Sequence, residues 1–189
     1  MGSEAIRYLI LPGWQGSPEE HWQSHWQRSL PNSARVEQKD WLNPQRGDWV
    51  AALNQEIAAD PRPLILIAHS LGCVTVAHWA AQTGQAGHVR GALLAVPPDF
   101  DTPLPAGYPA IDALRAAGWF PVPRQRLPFP SLVATSQNDP LAALDRVQAL
   151  ASDWGSQTVD LGAVGHLNPA SGYGEWPQAT DLIATLDGG

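Results

Sequence analysis

Short unbroken apolar runs alternate along the chain with longer stretches in which apolar positions recur every third or fourth residue. The first kind of pattern suits a strand covered on both faces, and the second suits a helix lying on a sheet. Read this way, strands are predicted at residues 8–11, 34–37, 64–68, 89–96, 131–135 and 157–161. Helices are predicted at 18–29, 44–59, from 71 to a stop at Thr83-Gly84, at 110–117 and 141–151, and from 175 or 176 to 186. Ser17 and Glu20 have the spacing of a capping box, with Pro18 suited to the first helical turn. On the helix at 141–151, Leu144, Val147, Gln148 and Leu150 make up the expected inner face.

Strand and helix thus alternate about six times, the pattern of an α/β protein with a mostly parallel sheet between two helical layers. Nine prolines fall between Pro97 and Pro130. They make that segment an excursion without long regular elements, with one short helix. With 189 residues and no linker or repeat, one domain over 1–189 is expected.

Charge and cysteine usage narrow the class further. Eleven basic against 18 acidic residues give a net charge of −7 without a basic cluster, which argues against nucleic acid as a partner. The single cysteine, Cys73, cannot form an internal disulfide and reads as a small buried side chain in a reducing compartment. No apolar run approaches the ~20 residues needed to span a bilayer. Residues 1–4 lack the charged start of a secretory leader, and Ile6 breaks the myristoylation pattern. The expectation is a cytoplasmic protein without membrane attachment, a monomer or weak homo-oligomer. His21 and His25 are four apart, but Trp22 stands where a metal-binding helix of this kind carries Glu, so neither metal nor cofactor is expected.

Candidate chemistry gathers where the predicted strands end. Ser70 lies where the period changes from strand to helix, with Ala68 and Gly72 two positions away on either side. This is a variant of the nucleophile elbow, whose tight reversal needs small flanks. The same serine is also a plausible helix N-cap, and the motif alone does not separate the two. A nucleophilic serine needs a base and an orienting acid. Asp139, after the strand at 131–135, and His166, in the glycine-rich loop after the last strand, complete the order Ser, Asp, His. Asp99 and Asp101 also follow a strand end and are alternative acids; Asp160 is assigned to its strand. His78 is expected to face away, and His69 to point differently from its neighbour Ser70. Backbone N–H groups of Leu71 and Trp14 are the expected oxyanion donors. Trp14, Gln15, Pro98, Trp119 and Tyr173 are the expected substrate walls, each aromatic being equally suited to packing.

The motifs L-P-G-W-Q-G-S-P-E-E-H-W-Q, A-H-S-L-G-C, S-x-N-D-P, G-H-L-N and S-G-Y-G-E-W-P occur in that order over nearly the whole chain. Together they resemble the small serine hydrolases of the retinoblastoma-binding-protein-nine and YdeN-like family. The resemblance implies a minimal α/β-hydrolase fold without a large cap, with Ser70, Asp139 and His166 as triad. It implies hydrolysis of small esters, amides or thioesters through an acyl-enzyme. The family's L-x-C-x-E interaction motif is not reproduced, since Leu71-Gly72-Cys73-Val74-Thr75 ends in Thr, so retinoblastoma-protein binding is not expected. Two other readings remain: an interaction module with little turnover on the same scaffold, and acyl transfer to an acceptor other than water.

Overall fold

The computed structural model describes residues 5–84 and 86–187. The terminal residues that bear on a leader or lipid signal, 1–4, lie outside the described residues. Six strands, β1 (Arg7–Leu11), β2 (Ser33–Arg35), β3 (Leu64–His69), β4 (Val89–Ala95), β5 (Ser131–Thr135) and β6 (Gln157–Asp160), form one sheet in the order β2-β1-β3-β4-β5-β6. Every pairing is parallel. The helices are α1 (Trp22–Ser29), α2 (Arg46–Ala58), α3 (Leu71–Thr83), α4 (Ile111–Ala116), α5 (Leu144–Trp154) and α6 (Ala179–Asp187).

Strand β3 shows why an unbroken apolar run is needed. Leu64, Leu66 and Ala68 pack into a core with residues of α2, α3 and α5, while Ile65 and Ile67 pack into a second core with Trp22 and Trp26 of α1 and Ile183 and Leu186 of α6. Successive side chains point to opposite faces, so a strand between two helical layers must be apolar at every position. The result is a minimal α/β-hydrolase fold with no large cap. In the sheet order, β1 has β2 on one side and β3 on the other. The direction of winding changes there, and the crevice beyond the carboxyl ends of such strands is where open α/β sheets bind ligands.

Several expected helix starts move, each for a local reason. Helix α1 begins at Trp22 rather than residue 18, with His21 as N-cap: its Nδ1 accepts the Gln23 N–H at 3.1 Å. The Ser17–Glu20 capping box does not form, because the Ser17 hydroxyl donates to Gln23 Oε1 at 2.6 Å. Helix α5 begins at Leu144 rather than 141, because the Asp139 carboxylate accepts the Leu141 N–H at 2.9 Å and holds a tight turn. Its buried side is Val147, Leu150, Ala151 and Trp154, and Gln148 is exposed. Helix α6 begins at Ala179, whose N–H bonds back to Trp176 in a turn that contains Pro177.

The excursion after β4 contains only the short α4, and it is fastened to the body by side chains. Trp119 donates its indole N–H to the Pro44 carbonyl at 2.8 Å, and its own carbonyl accepts from His78 Nε2–H at 3.1 Å. Arg146 of α5 reaches Asp99 and Asp101 near the excursion's start. Cys73 is fully buried, and desolvation pushes its thiol well above the usual range. Among the described residues, no helix is long and apolar enough to cross a membrane.

Candidate active site

The turn from β3 into α3 puts Ser70 at φ 54°, ψ −122°, a backbone region that non-glycine residues rarely occupy. Two glycines make room for it. A Cβ on Gly72 would lie 2.4 Å from the Leu11 carbonyl oxygen, and one on Gly13 would lie 2.9 Å from Ser70 Cβ. Any side chain at either place would force the loop after β1 away from the elbow. Leu71 opens α3, so its N–H belongs to the unpaired first turn. Among the described residues, neither this N–H nor that of Trp14 is taken by a backbone or side-chain acceptor.

Ser70, His166 and Asp139 come together from three strand ends. The Ser70 Oγ–H donates to His166 Nε2 at 2.8 Å, and His166 Nδ1–H donates to the Asp139 carboxylate at 2.9 and 3.0 Å. Ser70 is 8% and His166 5% exposed. A hydroxyl in this arrangement can pass its proton to the ring as it attacks a carbonyl, with the carboxylate holding the ring's tautomer and stabilising the imidazolium. The other acids are engaged elsewhere. Asp99 and Asp101 pair with Arg146, and Asp160 accepts from Gln137 and from the Gly162 N–H.

These groups open onto a cavity of about 490 Å³, within the size range of small-molecule sites. Trp14, Gln15 and Pro98 line it as expected, but two expected walls do not. Trp119 is fully buried in a tryptophan cluster beneath, its ring edge-on to Trp49. Tyr173 packs against the core under α1 and α6. Both are aromatic residues serving the packing that was their alternative role. The apolar wall comes instead from Phe100, Leu104, Tyr108 and Leu114 of the excursion and from Leu141. Composition marked the excursion as irregular but not which face of it turns inward.

Three further residues were not anticipated. His69, expected only to point differently from Ser70, also lines the cavity, and its Nε2–H donates to the His166 carbonyl at 2.8 Å. Its ring lies 4.9 Å from that of His166 and 4.7 Å from that of His21. Burial pushes the His69 imidazole well below its ordinary value, and that of His21 down to about 3, with the Arg35, His166 and His25 charges adding to the latter. His25, the other half of the i, i+4 pair, faces Arg28 and Glu175 instead. Gln23 is the third: fully buried, it donates from Nε2 to the carbonyls of Leu11 on β1 and Ile67 on β3, at 3.1 and 3.2 Å. Its hint in the sequence was a polar side chain on the inner face of an otherwise tryptophan-rich helix.

A family model for serine hydrolases matches residues 8–185. The chain belongs to the serine hydrolase family. A YdeN-like hydrolase of Pectobacterium atrosepticum is 31% identical, covers 96% of this chain and 90% of its own, and superposes with a TM-score of 0.81. The ydeN gene product of B. subtilis superposes at 0.77 with 16% identity, over 98% of this chain and all of its own. Est1E of Butyrivibrio proteoclasticus, solved with ferulic acid bound, superposes at 0.74 with 13% identity, over 100% of this chain and 92% of its own. These last two share the fold. No curated protein sequence matches significantly. The protein is thus an α/β-hydrolase-type enzyme of the YdeN-like serine hydrolases.

Proposed function

We propose that the enzyme is a carboxylesterase-like hydrolase that cleaves small esters, and by the same chemistry amides or thioesters, through an acyl-enzyme on Ser70. The observation that carries this reading is the chain of short hydrogen bonds from Ser70 Oγ through His166 to Asp139 at the edge of a ligand-sized cavity. Ser70 attacks the acyl carbonyl while His166 takes its proton. The N–H groups of Leu71 and Trp14 receive the oxyanion. His166 then returns the proton to the leaving oxygen, and a water activated by the same imidazole releases the acid. Asp139 keeps Nδ1 protonated, so that Nε2 faces the serine as a base.

The apolar wall from Phe100 to Leu114 is suited to the acyl group. A short aliphatic or single-ring aryl chain fits a cavity of this size better than a long lipid tail. The ferulic acid held by Est1E makes an aryl acyl group worth including in the substrate panel. We read 1–189 as one domain acting in the cytoplasm on a small-molecule substrate, without nucleic acid, membrane or retinoblastoma protein as partner.

A fluorophosphonate probe tests the chemistry directly. Wild type should be labelled and Ser70→Ala should not; equal labelling of the two would sink the nucleophile assignment. p-Nitrophenyl esters of increasing acyl length then test the pocket, with activity expected to peak at short chains. A preference for long chains would contradict the acyl assignment.

A further inference from the structure

His21 has an unusual hydrogen-bond account. It is 2% exposed and lines the catalytic cavity. Its Nδ1 is committed as an acceptor from the Gln23 N–H, so in the neutral ring the proton resides on Nε2. That Nε2–H is buried and has no partner among the described residues. Buried polar atoms are almost always bonded, and an unpaired one calls for an explanation. The ring cannot easily turn its polar edge toward the protein, because the cap fixes Nδ1 and the rings of Trp22 and His69 lie at 5.4 and 4.7 Å. Burial keeps it uncharged at neutral pH, so it acts as a neutral donor that suits a neutral oxygen.

Its location within the cavity says which part of a substrate it meets. The lining includes apolar residues of the excursion with Leu141, and also His21, His69, His166 and Asn168; the three histidine rings follow one another at 4.7 and 4.9 Å, which makes theirs the polar half and the excursion's the apolar one. His166 must reach the leaving oxygen to protonate it, so the leaving group lies in the polar half and the acyl group in the apolar one. We infer that His21 Nε2–H is a specificity donor for the leaving group, and that the substrates are esters of an apolar acid with an alcohol carrying a further ether or hydroxyl oxygen. Because Nε2 itself is buried, that oxygen meets it through a small tilt of the ring about the retained Nδ1 cap bond, and the unpaired donor is then satisfied. An alcohol lacking the oxygen leaves the donor unpaired, and sites built to bond a polar group discriminate strongly against analogues without one. The inference rests on Ser70 being the nucleophile.

The test compares esters that differ by one CH2-to-O exchange in the leaving group: 2-methoxyethyl and 3-methoxypropyl butanoates against butyl and pentyl butanoates. Each kcat/KM is divided by the ester's rate of hydrolysis by hydroxide, to remove intrinsic reactivity. Wild type should favour at least one ether ester by about tenfold. His21→Asn keeps an oxygen that can cap α1 and removes the Nε2–H; in it the preference should fall to near one, while the short-chain acyl profile keeps its shape. A wild type that prefers neither ether overturns the inference whether or not the variant folds, as does a preference that survives in His21→Asn. Absence of both fluorophosphonate labelling and ester turnover in wild type would instead bring down the Ser70 reading, and this inference with it.

Discussion

Gln23 offers a test of how the loop after β1, with its proposed oxyanion donor, is held to the elbow. Its amide joins the ends of β1 and β3, and its oxygen accepts from Ser17, all within a fully buried site. Gln23→Leu keeps the approximate size but leaves two carbonyls and one hydroxyl without this partner. The two carbonyls keep their places in the β1–β3 ladder, so each bond lost there costs about 0.5–1.5 kcal/mol and the orphaned Ser17 hydroxyl about 1–3 kcal/mol; a total of about 3–4 kcal/mol is a fair expectation. For a chain of this length that lowers Tm by roughly 6–16 °C. The second consequence is catalytic. Leu11 leads into the loop carrying the Trp14 N–H, and Ile67 lies on the strand that ends at Ser70. A displacement of the order of 1 Å between them can cost ~10²-fold in rate. The assay is kcat and KM for p-nitrophenyl acetate well below the variant's Tm, alongside thermal unfolding. A fall in kcat of about 10- to 100-fold with little change in KM is expected. If stability drops but kcat stays within about twofold of wild type, the clamp is purely structural and the positioning argument is wrong.

Asp139→Asn should leave the fold intact and reduce kcat by about 10³–10⁴-fold, measured by steady-state hydrolysis; retention of most of the activity would mean that another acid orients His166. Gly72→Ala should lower both Tm and kcat, because its Cβ would meet the Leu11 carbonyl at 2.4 Å and spread the loop from the elbow; a stable, fully active variant would show that the close approach is dispensable. Folding holds the His21 imidazole below its ordinary value, so on acidification the unfolded chain takes up the proton first. The stability this group contributes is present above about pH 6.5 and is lost as pH falls toward 3, amounting to about 2 kcal/mol by pH 5. His69 acts in the same direction. Asp40, Asp60 and Asp160, held low by hydrogen bonds from Asn43, Arg62 and Gln137, lose their contributions only below about pH 4. Urea unfolding at pH 7.5 and 5 should therefore show a loss that is smaller by about 2 kcal/mol in His21→Asn; an equal loss would refute the buried, neutral ring.

The strand ends and the three groups they carry were legible in the sequence because each depends on local pattern: a change of period at Ser70, a turn cluster around Asp139, a glycine-rich loop before His166. The cavity wall was not. Whether Phe100 or Trp119 faces the cavity depends on contacts distant in sequence such as the Trp119 indole bond to Pro44, and no local spacing announces it. His21 shows the same limit. As the first of two histidines four apart it invited a metal reading, yet its position as cap of α1 turns it toward the cavity wall and separates its role from that of His25. Helix starts were misplaced at α1 and α5, where side chains that cap or close turns were spent on bonds to other elements, and at α6, where a turn at Trp176 delays the helix.

The excursion leaves the sheet after β4 and rejoins it at β5, whereas Ser70, His166 and the loop with Trp14 follow the ends of β3, β6 and β1, and Asp139 follows β5 itself. Apart from Leu141, the apolar wall of the cavity is therefore encoded in one contiguous segment that carries none of Ser70, Asp139 and His166. On the proposed function, grafting residues 97–130 between relatives should change which acyl groups are accepted while leaving Ser70, Asp139 and His166 in register.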